Sequence, residues 1–92
     1  MHGEYKLPGG KLVIVDFAVA DDTLRDVVVS GDFFLYPEEA LEPIRAALEG
    51  IPTTLSEADV AARVRDAIAP DVELIGATPE GIAIAVARAL AA

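Results

Sequence analysis

Cysteine is absent from this 92-residue sequence, and aromatic residues are scarce, with three phenylalanines, two tyrosines and no tryptophan. Without cysteine, the chain can form neither disulfides nor thiolate nucleophiles, and it cannot hold an iron–sulfur cluster through sulfur ligands. No run of about 18 apolar residues is present, and the opening MHGEYKLPGG lacks the apolar segment of an export signal. We therefore expect a cytoplasmic protein.

Positive charge is scarce as well. Seven Lys and Arg residues stand against sixteen Asp and Glu residues, which leaves a net charge of −9. Binding to nucleic acids depends mainly on cations that neutralise phosphates, and binding to anionic membranes needs cations too. We therefore expect neither as a partner. Apolar residues are abundant at 53%, but much of this fraction is alanine, which we expect to cover helix surface.

The order of the patterns predicts an α+β fold in a single domain that spans residues 1–92. A loose polar terminus ends in the breaker sequence PGG at 8–10. Alternating apolar residues then predict strands at 11–19 and 24–34, joined by an Asp-rich turn into an antiparallel hairpin. Residues 72–75 are predicted as the third strand of the sheet. About three helices would cover its apolar face.

The helices are indicated by apolar residues at helical spacing and by their caps. The first is predicted from Pro37 to Gly50, with a kink or an irregular first turn at Pro43, because an interior proline removes a backbone hydrogen bond. Ser56 is predicted to cap the second helix. The sequence TPE at Thr78 supplies an N-cap, a proline at the first helical position and an acid in the first turn of the third.

Few residues offer catalytic chemistry. The one histidine, His2, has no Ser or Cys near it in the sequence, and we expect it to be a disordered terminal residue. Turns, helix N-termini and strand edges explain the acidic clusters, and none has the pattern of a calcium loop. We therefore expect no catalytic residue and no metal site.

Two segments nevertheless have functional potential, and the first is the sequence PGGK. Gly9 and Gly10 would let the backbone approach a ligand closely, and the lysine after them, Lys11, can meet a phosphate as a point charge. An ordinary turn explains the same residues. The spacing is not that of a P-loop, in which a helix would follow.

The second segment is GDFFLYP at 31–37, which holds three of the five aromatic residues. In an extended chain, Phe33 and Leu35 point to one side, and Phe34 and Tyr36 point to the other. Either one pair enters the core while the other packs against the helices, or one pair remains at a partner interface, where aromatic residues are enriched.

These segments, in the contexts GEYKLPGGKLVIVD and SGDFFLYPEEALEPIRAALEG, resemble the C-terminal accessory domain of lipoate–protein ligases. The likeness is to the form that occurs as a separate small protein in bipartite, archaeal-type ligases. It covers nearly the whole chain, although residues 52–92 share only the general pattern. In that family the catalytic domain binds lipoate and ATP, forms lipoyl-adenylate and transfers the lipoyl group to a lysine of an acceptor domain.

The resemblance implies a role rather than a reaction. The chain lacks the Arg-Arg and Gly-Gly-Gly signature of the catalytic domain, so it would be a non-catalytic subunit that a separate catalytic subunit needs for adenylation. Lipoate, ATP and magnesium would bind the assembled ligase, not this chain alone, and lipoyl-acceptor domains would be indirect partners. We predict two functional groups of residues: Gly9, Gly10, Lys11 and Lys6 near the adenylate, and Asp32, Phe33, Phe34 and Tyr36 at the subunit interface.

Two other function classes remain open from the sequence. One is a regulatory domain that binds a small molecule, and the other is a structural module that only stabilises a partner. The Gly-Gly-Lys sequence favours the first of these over the second, but it does not separate a regulatory domain from a ligase subunit.

Overall fold

The structure, a computed structural model, describes all 92 residues. In chain order the elements are β1 His2–Lys6, β2 Leu12–Ala20, β3 Thr23–Gly31, β4 Phe34–Tyr36, a 3-10 turn at Glu38–Ala40, α1 Leu41–Leu48, α2 Glu57–Ala67, β5 Glu73–Ile75 and α3 Pro79–Ala91. A three-stranded antiparallel sheet and three helices confirm the predicted α+β fold. None of the helices has the length and apolar character needed to cross a membrane.

The N-terminal residues form the third strand of the main sheet, where the sequence predicted a loose terminus. β1 pairs antiparallel with β2, which gives the strand order β1–β2–β3. His2 bridges two carboxylates, with Nε2 at 2.7 Å from Glu4 Oε2 and Nδ1 at 2.6 Å from Asp16 Oδ1. Hydrogen bonds to Glu4 and to Asp16 raise the pKa of His2 above its ordinary value. The prediction of a disordered histidine is therefore wrong, because pairing within and across strands orders it.

The strand predicted at 72–75 exists, but it does not join the main sheet. β5 pairs antiparallel with β4 in a separate two-stranded sheet, in which Phe34 lies opposite Ile75 and Tyr36 opposite Glu73. The predicted position of this strand is wrong because β1 already occupies the free edge of β2. The segment after the hairpin supplies β4 as its partner instead.

The hairpin of β2 and β3 turns through Asp21 and Asp22, both in the left-handed region with φ of 54° and 58°. Positive φ at both central residues is the geometry of the tight turn that suits the twist of a hairpin, and aspartate tolerates it. Further along, the register shifts by one residue opposite Phe17, where Asp26 has φ of 55°. β3 thus carries a bulge, which the sequence pattern did not reveal.

The proline inside the first helix is tolerated because the helix starts later than predicted. A 3-10 turn precedes α1, and Pro43 is the third residue of α1. The first four N–H groups of a helix have no partner within the helix, so proline removes nothing at this position. The prediction of an irregular first turn is confirmed. The other predicted helix boundaries are confirmed. Gly50 lies just beyond the end of α1 with φ of 79°. The hydroxyls of Ser56 and Thr78 cap α2 and α3, because they accept hydrogen bonds from the Asp59 and Gly81 amides.

The core lies between the sheet and the helices. It comprises Val13, Val15, Phe17, Leu24, Val27, Val29, Ile44, Leu48, Ile51, Val60, Ala61, Val64, Ala77, Ile82, Ala83, Ala85, Val86 and Ala89. Ala83 and Ala85 of α3 are thus buried together with Ala89, although most alanines were expected to cover helix surface. Their small size lets β1 approach α3 closely: a Cβ on Gly3 would lie 2.1 Å from the Ala85 carbonyl oxygen and 2.6 Å from the Ala89 amide nitrogen.

One carboxylate ties α1 to the bulge of β3. Glu49 Oε1 accepts from the Val27 amide and Oε2 from the Asp26 amide, each at 3.0 Å. Arg45 donates to Glu49 at 3.2 Å and to Glu42 at 2.7 Å. The Val27 amide first, then the Asp26 amide and nearby arginines, lower the pKa of Glu49. These contacts satisfy backbone donors that the irregular register would leave unpaired.

Acid should therefore destabilise the fold partly through Glu49. Because its folded-state pKa is depressed, the carboxylate stabilises the fold above its unfolded pKa, and this contribution is lost as the pH falls through the folded pKa. We expect Glu49→Gln to be less stable than wild type at pH 7, with a difference that shrinks towards pH 3. Urea unfolding across this range measures it. Glu73→Gln, an exposed glutamate without a hydrogen bond to the backbone, is the control, and parallel curves for Glu49→Gln and wild type would contradict the assignment.

Candidate functional site

The only two lysines of the chain line one pocket. A cavity of about 370 Å³ is bounded by Lys6, Gly10, Lys11, Leu12 and Asp32. Both lysines are exposed, and neither forms an ion pair with a carboxylate of the chain. With two cations and one carboxylate, this lysine pocket is locally positive in a chain whose net charge is −9. It can therefore attract a small anion.

The hairpin turn between β1 and β2 brings the lysines together. Lys6 lies opposite Leu12 in the register, and the Leu7 amide donates to the Lys11 carbonyl at 3.3 Å. Gly9 is at the exposed tip of the turn with φ of 67°, a conformation that suits glycine, and no atom lies within 4 Å of a Cβ built on it. Gly10 lines the pocket, and its amide donates to the Leu7 carbonyl at 2.9 Å.

A glycine outside the predicted set positions the Lys11 side chain. The Lys11 amide donates to the Gly76 carbonyl at 3.1 Å. Gly76 has φ of 88°, and a Cβ there would lie 2.5 Å from Lys11 Cγ. The aliphatic stem of Lys11 therefore passes directly over the backbone that follows β5. The main-chain bond and the missing Cβ together fix where this lysine leaves the protein.

The small sheet of β4 and β5 exposes a group of large apolar side chains, here called the aromatic face. Its members are Phe34, Tyr36 and Ile75, with exposed fractions of 66%, 74% and 56%. The alternation predicted for this segment is confirmed, because Phe33 and Leu35 point the other way and lie half-buried against the core. An exposed apolar group of this kind is typical of a surface that contacts another protein.

The lysine pocket and the aromatic face adjoin each other. Asp32, a member of the pocket, is two residues from Phe34, and Gly76, under the stem of Lys11, follows Ile75 directly. A macromolecule that covers the aromatic face would therefore bring its own groups close to two free cations. Such an arrangement suits a shared site better than two separate ones.

The predicted site residues lie in the lysine pocket, on the aromatic face or next to one of these two surfaces. Lys6, Gly10, Lys11 and Asp32 meet in the pocket, Gly9 lies at the tip of the turn, Phe34 and Tyr36 form the aromatic face, and Phe33 lies beneath it. Sequence reasoning missed Ile75 and Gly76. The signal for both was the pairing of β4 with β5, which no local pattern specifies. No group of three or more acidic, histidine or cysteine side chains is arranged to hold a metal ion.

Because Phe34 is exposed and Leu35 is half-buried, we expect their side chains to contribute differently to the free energy of unfolding. We expect Phe34→Ala to change the free energy of unfolding by no more than about 0.5 kcal/mol, as is usual for surface positions. Leu35→Ala should cost about 1–3 kcal/mol, because its side chain packs half-buried against the core. Chemical denaturation of the two variants measures this. An equal loss for Phe34→Ala would assign that side chain to the fold instead of to a free surface.

No protein-family model and no curated protein matches the chain. Among solved structures, it is similar to a chain of an archaeal lipoylation system, a bipartite lipoate protein ligase and its E2 lipoyl domain from Thermoplasma acidophilum. The TM-score is 0.69 at 25% sequence identity, and the alignment covers 94% of this chain and 97% of the other. The resemblance to bipartite lipoate protein ligases that the sequence indicated is thereby confirmed.

Proposed function

We propose that this chain is the accessory subunit of a two-part lipoate–protein ligase, required with a separate catalytic subunit for the ATP-dependent activation of lipoate to lipoyl-adenylate. The observation that carries the proposal is the similarity over nearly the full length of both chains to a component of the archaeal bipartite system. The cytoplasm is the compartment we assign to the complex.

The lysine pocket supports a role in adenylation. Activation of a carboxylate by ATP develops negative charge at the α-phosphate, and a cation held close to it stabilises the transition state more than the ground state. Lys11 is held by the Gly76 contacts just before β2 begins, and Lys6 lies across the turn. A preorganised cation of this kind loses little freedom when the phosphate arrives.

The aromatic face supports a heterodimer. Phe34, Tyr36 and Ile75 would lose most of their exposed surface against a catalytic subunit, and aromatic residues often contribute most to such contacts. Contact at this face would also shield a reactive mixed anhydride from water, if the anhydride lay beside the lysine pocket. Lipoate, ATP and magnesium belong to the catalytic subunit in this proposal, and acceptor domains meet the complex only after adenylation.

Reconstitution with the catalytic subunit tests the proposal. With lipoate, ATP and magnesium, we expect no pyrophosphate release from this chain alone and clear stimulation when it joins the catalytic subunit. Adenylate formation and transfer to an acceptor domain are scored separately, because the proposal places the effect on the first step. Pyrophosphate release by the purified chain alone would contradict it. So would lipoyl transfer to Lys6 or Lys11, detected by mass spectrometry, because the chain would then be an acceptor.

A lysine variant tests the role of the pocket. Lys11→Met keeps an aliphatic stem over Gly76 but removes the ammonium group. We expect it to slow adenylate formation by roughly 100–1,000-fold, the usual cost of losing one contact to developing charge. Transfer from pre-made lipoyl-adenylate and binding of the catalytic subunit should be unchanged.

The control for this variant is Arg63→Met, which removes an exposed cation from α2, outside the lysine pocket. It should leave both steps at wild-type rates. If Lys11→Met forms the adenylate at nearly the wild-type rate with saturating catalytic subunit, Lys11 has no role in adenylation. It is then a solvated residue at the start of a strand.

A further inference from the structure

The backbone of β3 divides into groups that bond to β2 and groups that point away from it. In an antiparallel ladder, successive residues alternate between the two directions. The Asp32 amide donates to the Leu12 carbonyl at 3.0 Å, and the register pairs Ile14 with Ser30. Even-numbered residues of β3 from Val28 on therefore bond to β2.

The odd-numbered residues of the same segment point outwards. The Val27 amide confirms this direction, because it reaches Glu49 on the outer side. The Val27 carbonyl, the Val29 amide and carbonyl and the Gly31 amide face the same way. None of them bonds to another group of the chain.

The outer edge of β3 is closed in its first half and open in its second. In the first half, the Leu24 amide donates to the Ile51 carbonyl, and the Leu24 carbonyl accepts from the Gly50 amide. The Glu49 carboxylate accepts from both amides of the bulge. From the Val27 carbonyl to Gly31 no group of the chain hydrogen-bonds to the edge, although Val27 and Val29 are themselves only 2% and 5% exposed. An open strand edge presents unpaired N–H and C=O groups, which are a template for pairing with another chain.

A groove runs beside this open edge. Two adjoining cavities of about 450 and 310 Å³ share Val29, Glu38 and Leu41. Apolar side chains line the first, among them Phe33, Phe34 and Leu35. The second is lined by apolar residues of β3 and Leu41, by Arg45 and by three acids, Glu38, Glu39 and Glu42. Glu42 is paired with Arg45, but Glu38 and Glu39 have no cationic partner.

We propose that an extended segment of the catalytic subunit, with a basic residue beside an apolar one, adds to the open edge of β3 as a fourth strand. Main-chain hydrogen bonds to Val29 and Gly31 would supply affinity, and the groove would select the side chains. The free carboxylates of Glu38 and Glu39 specify the basic residue. The identity of the partner rests on the function proposed above, whereas the strand addition rests on the ladder and the groove.

Charge argues against a second copy of this chain as the occupant. Pairing two β3 edges would bring two sets of Glu38 and Glu39 together in chains that each carry a net charge of −9. Like charges that face each other across an interface oppose association. At the opposite edge of the sheet, Arg88 already donates to the Glu4 carbonyl at 3.2 Å, so β1 offers fewer free groups.

Proline at position 29 tests the proposal. Val29→Pro removes an outward amide that bonds to nothing in the chain, so the pairing with β2 is kept. Val29→Ala is the matched control, because it loses the same core side chain but keeps the amide. We expect calorimetry against the catalytic subunit to show binding that is about tenfold weaker or more for the proline variant than for the alanine variant. Circular dichroism checks that both variants fold.

Hydrogen exchange on the wild-type chain tests the same point without a substitution. On binding, exchange should slow more at the Val29 and Gly31 amides than at Val28 and Ser30, which already bond to β2. Replacing Glu38 and Glu39 with glutamine should also reduce the salt dependence of binding, whereas the same change of charge at Asp21→Asn and Asp22→Asn should not.

The outcomes separate the two proposals. Equal affinities of the proline and alanine variants, or exchange at Val29 and Gly31 that does not change, would overturn the strand addition and leave the accessory function standing. A dimer of this chain that Val29→Pro dissolves would also overturn it, because a second copy would then be the occupant. No binding of the wild-type chain to the catalytic subunit would overturn both.

Discussion

The close approach of β1 to α3 is the contact on which the candidate site depends. Gly3 has no side chain, and the helix presents Ala85 and Ala89 at the point where the backbones meet. Any larger residue at position 3 would push the strand off the helix, because packed interiors have no room for added atoms. With β1 held in the sheet, the turn that follows it has a fixed place, and the two lysines on either side of that turn face the same pocket.

Charge is distributed unevenly over the surfaces that meet at the aromatic face. The lysine pocket adjoins it through Asp32, and the free carboxylates of Glu38 and Glu39 follow it in the chain. Both lysines of an acidic chain and a pair of unpaired acids thus adjoin the same apolar surface at separate places. Opposite charges at separate places would favour one orientation of a partner over others, since like charges placed together oppose association.

Local patterns predicted much of this fold, and contacts between distant residues account for what they missed. The hairpin, the caps at Ser56 and Thr78 and the alternation around Phe34 are all specified by neighbours in sequence. β1 was missed because HGEYK is polar, and its strand depends on a contact with a helix more than 80 residues away. The bulge at Asp26 was missed for a similar reason, because the Glu49 carboxylate that satisfies its amides lies on another element.

Several residues of the candidate site were predictable from local patterns, but their arrangement in space was not. The sequence singled out Lys11 and Phe34 because each stands in an unusual local context, glycines before one and aromatics around the other. The sequence did not indicate that Lys11 and Phe34 lie near each other. Their proximity depends on Gly76, whose missing side chain admits the stem of Lys11, and on the pairing of β5 with β4. Neither has a signal within a few residues, so only the folded chain reveals that the two segments adjoin.

The open edge of β3 ends where the lysine pocket begins. Gly31 packs against the backbone of Leu12, since a Cβ there would lie 2.1 Å from the Leu12 carbonyl oxygen, and Leu12 and Asp32 both line the pocket. A strand added at Val29 and Gly31 would therefore immobilise the backbone from which the pocket is built. Contacts far from the reacting groups can raise a rate in this way, because part of their binding free energy holds a catalytic group in place. Docking of the catalytic subunit would in this way add to the contacts with Gly76 that already hold Lys11 in the free chain.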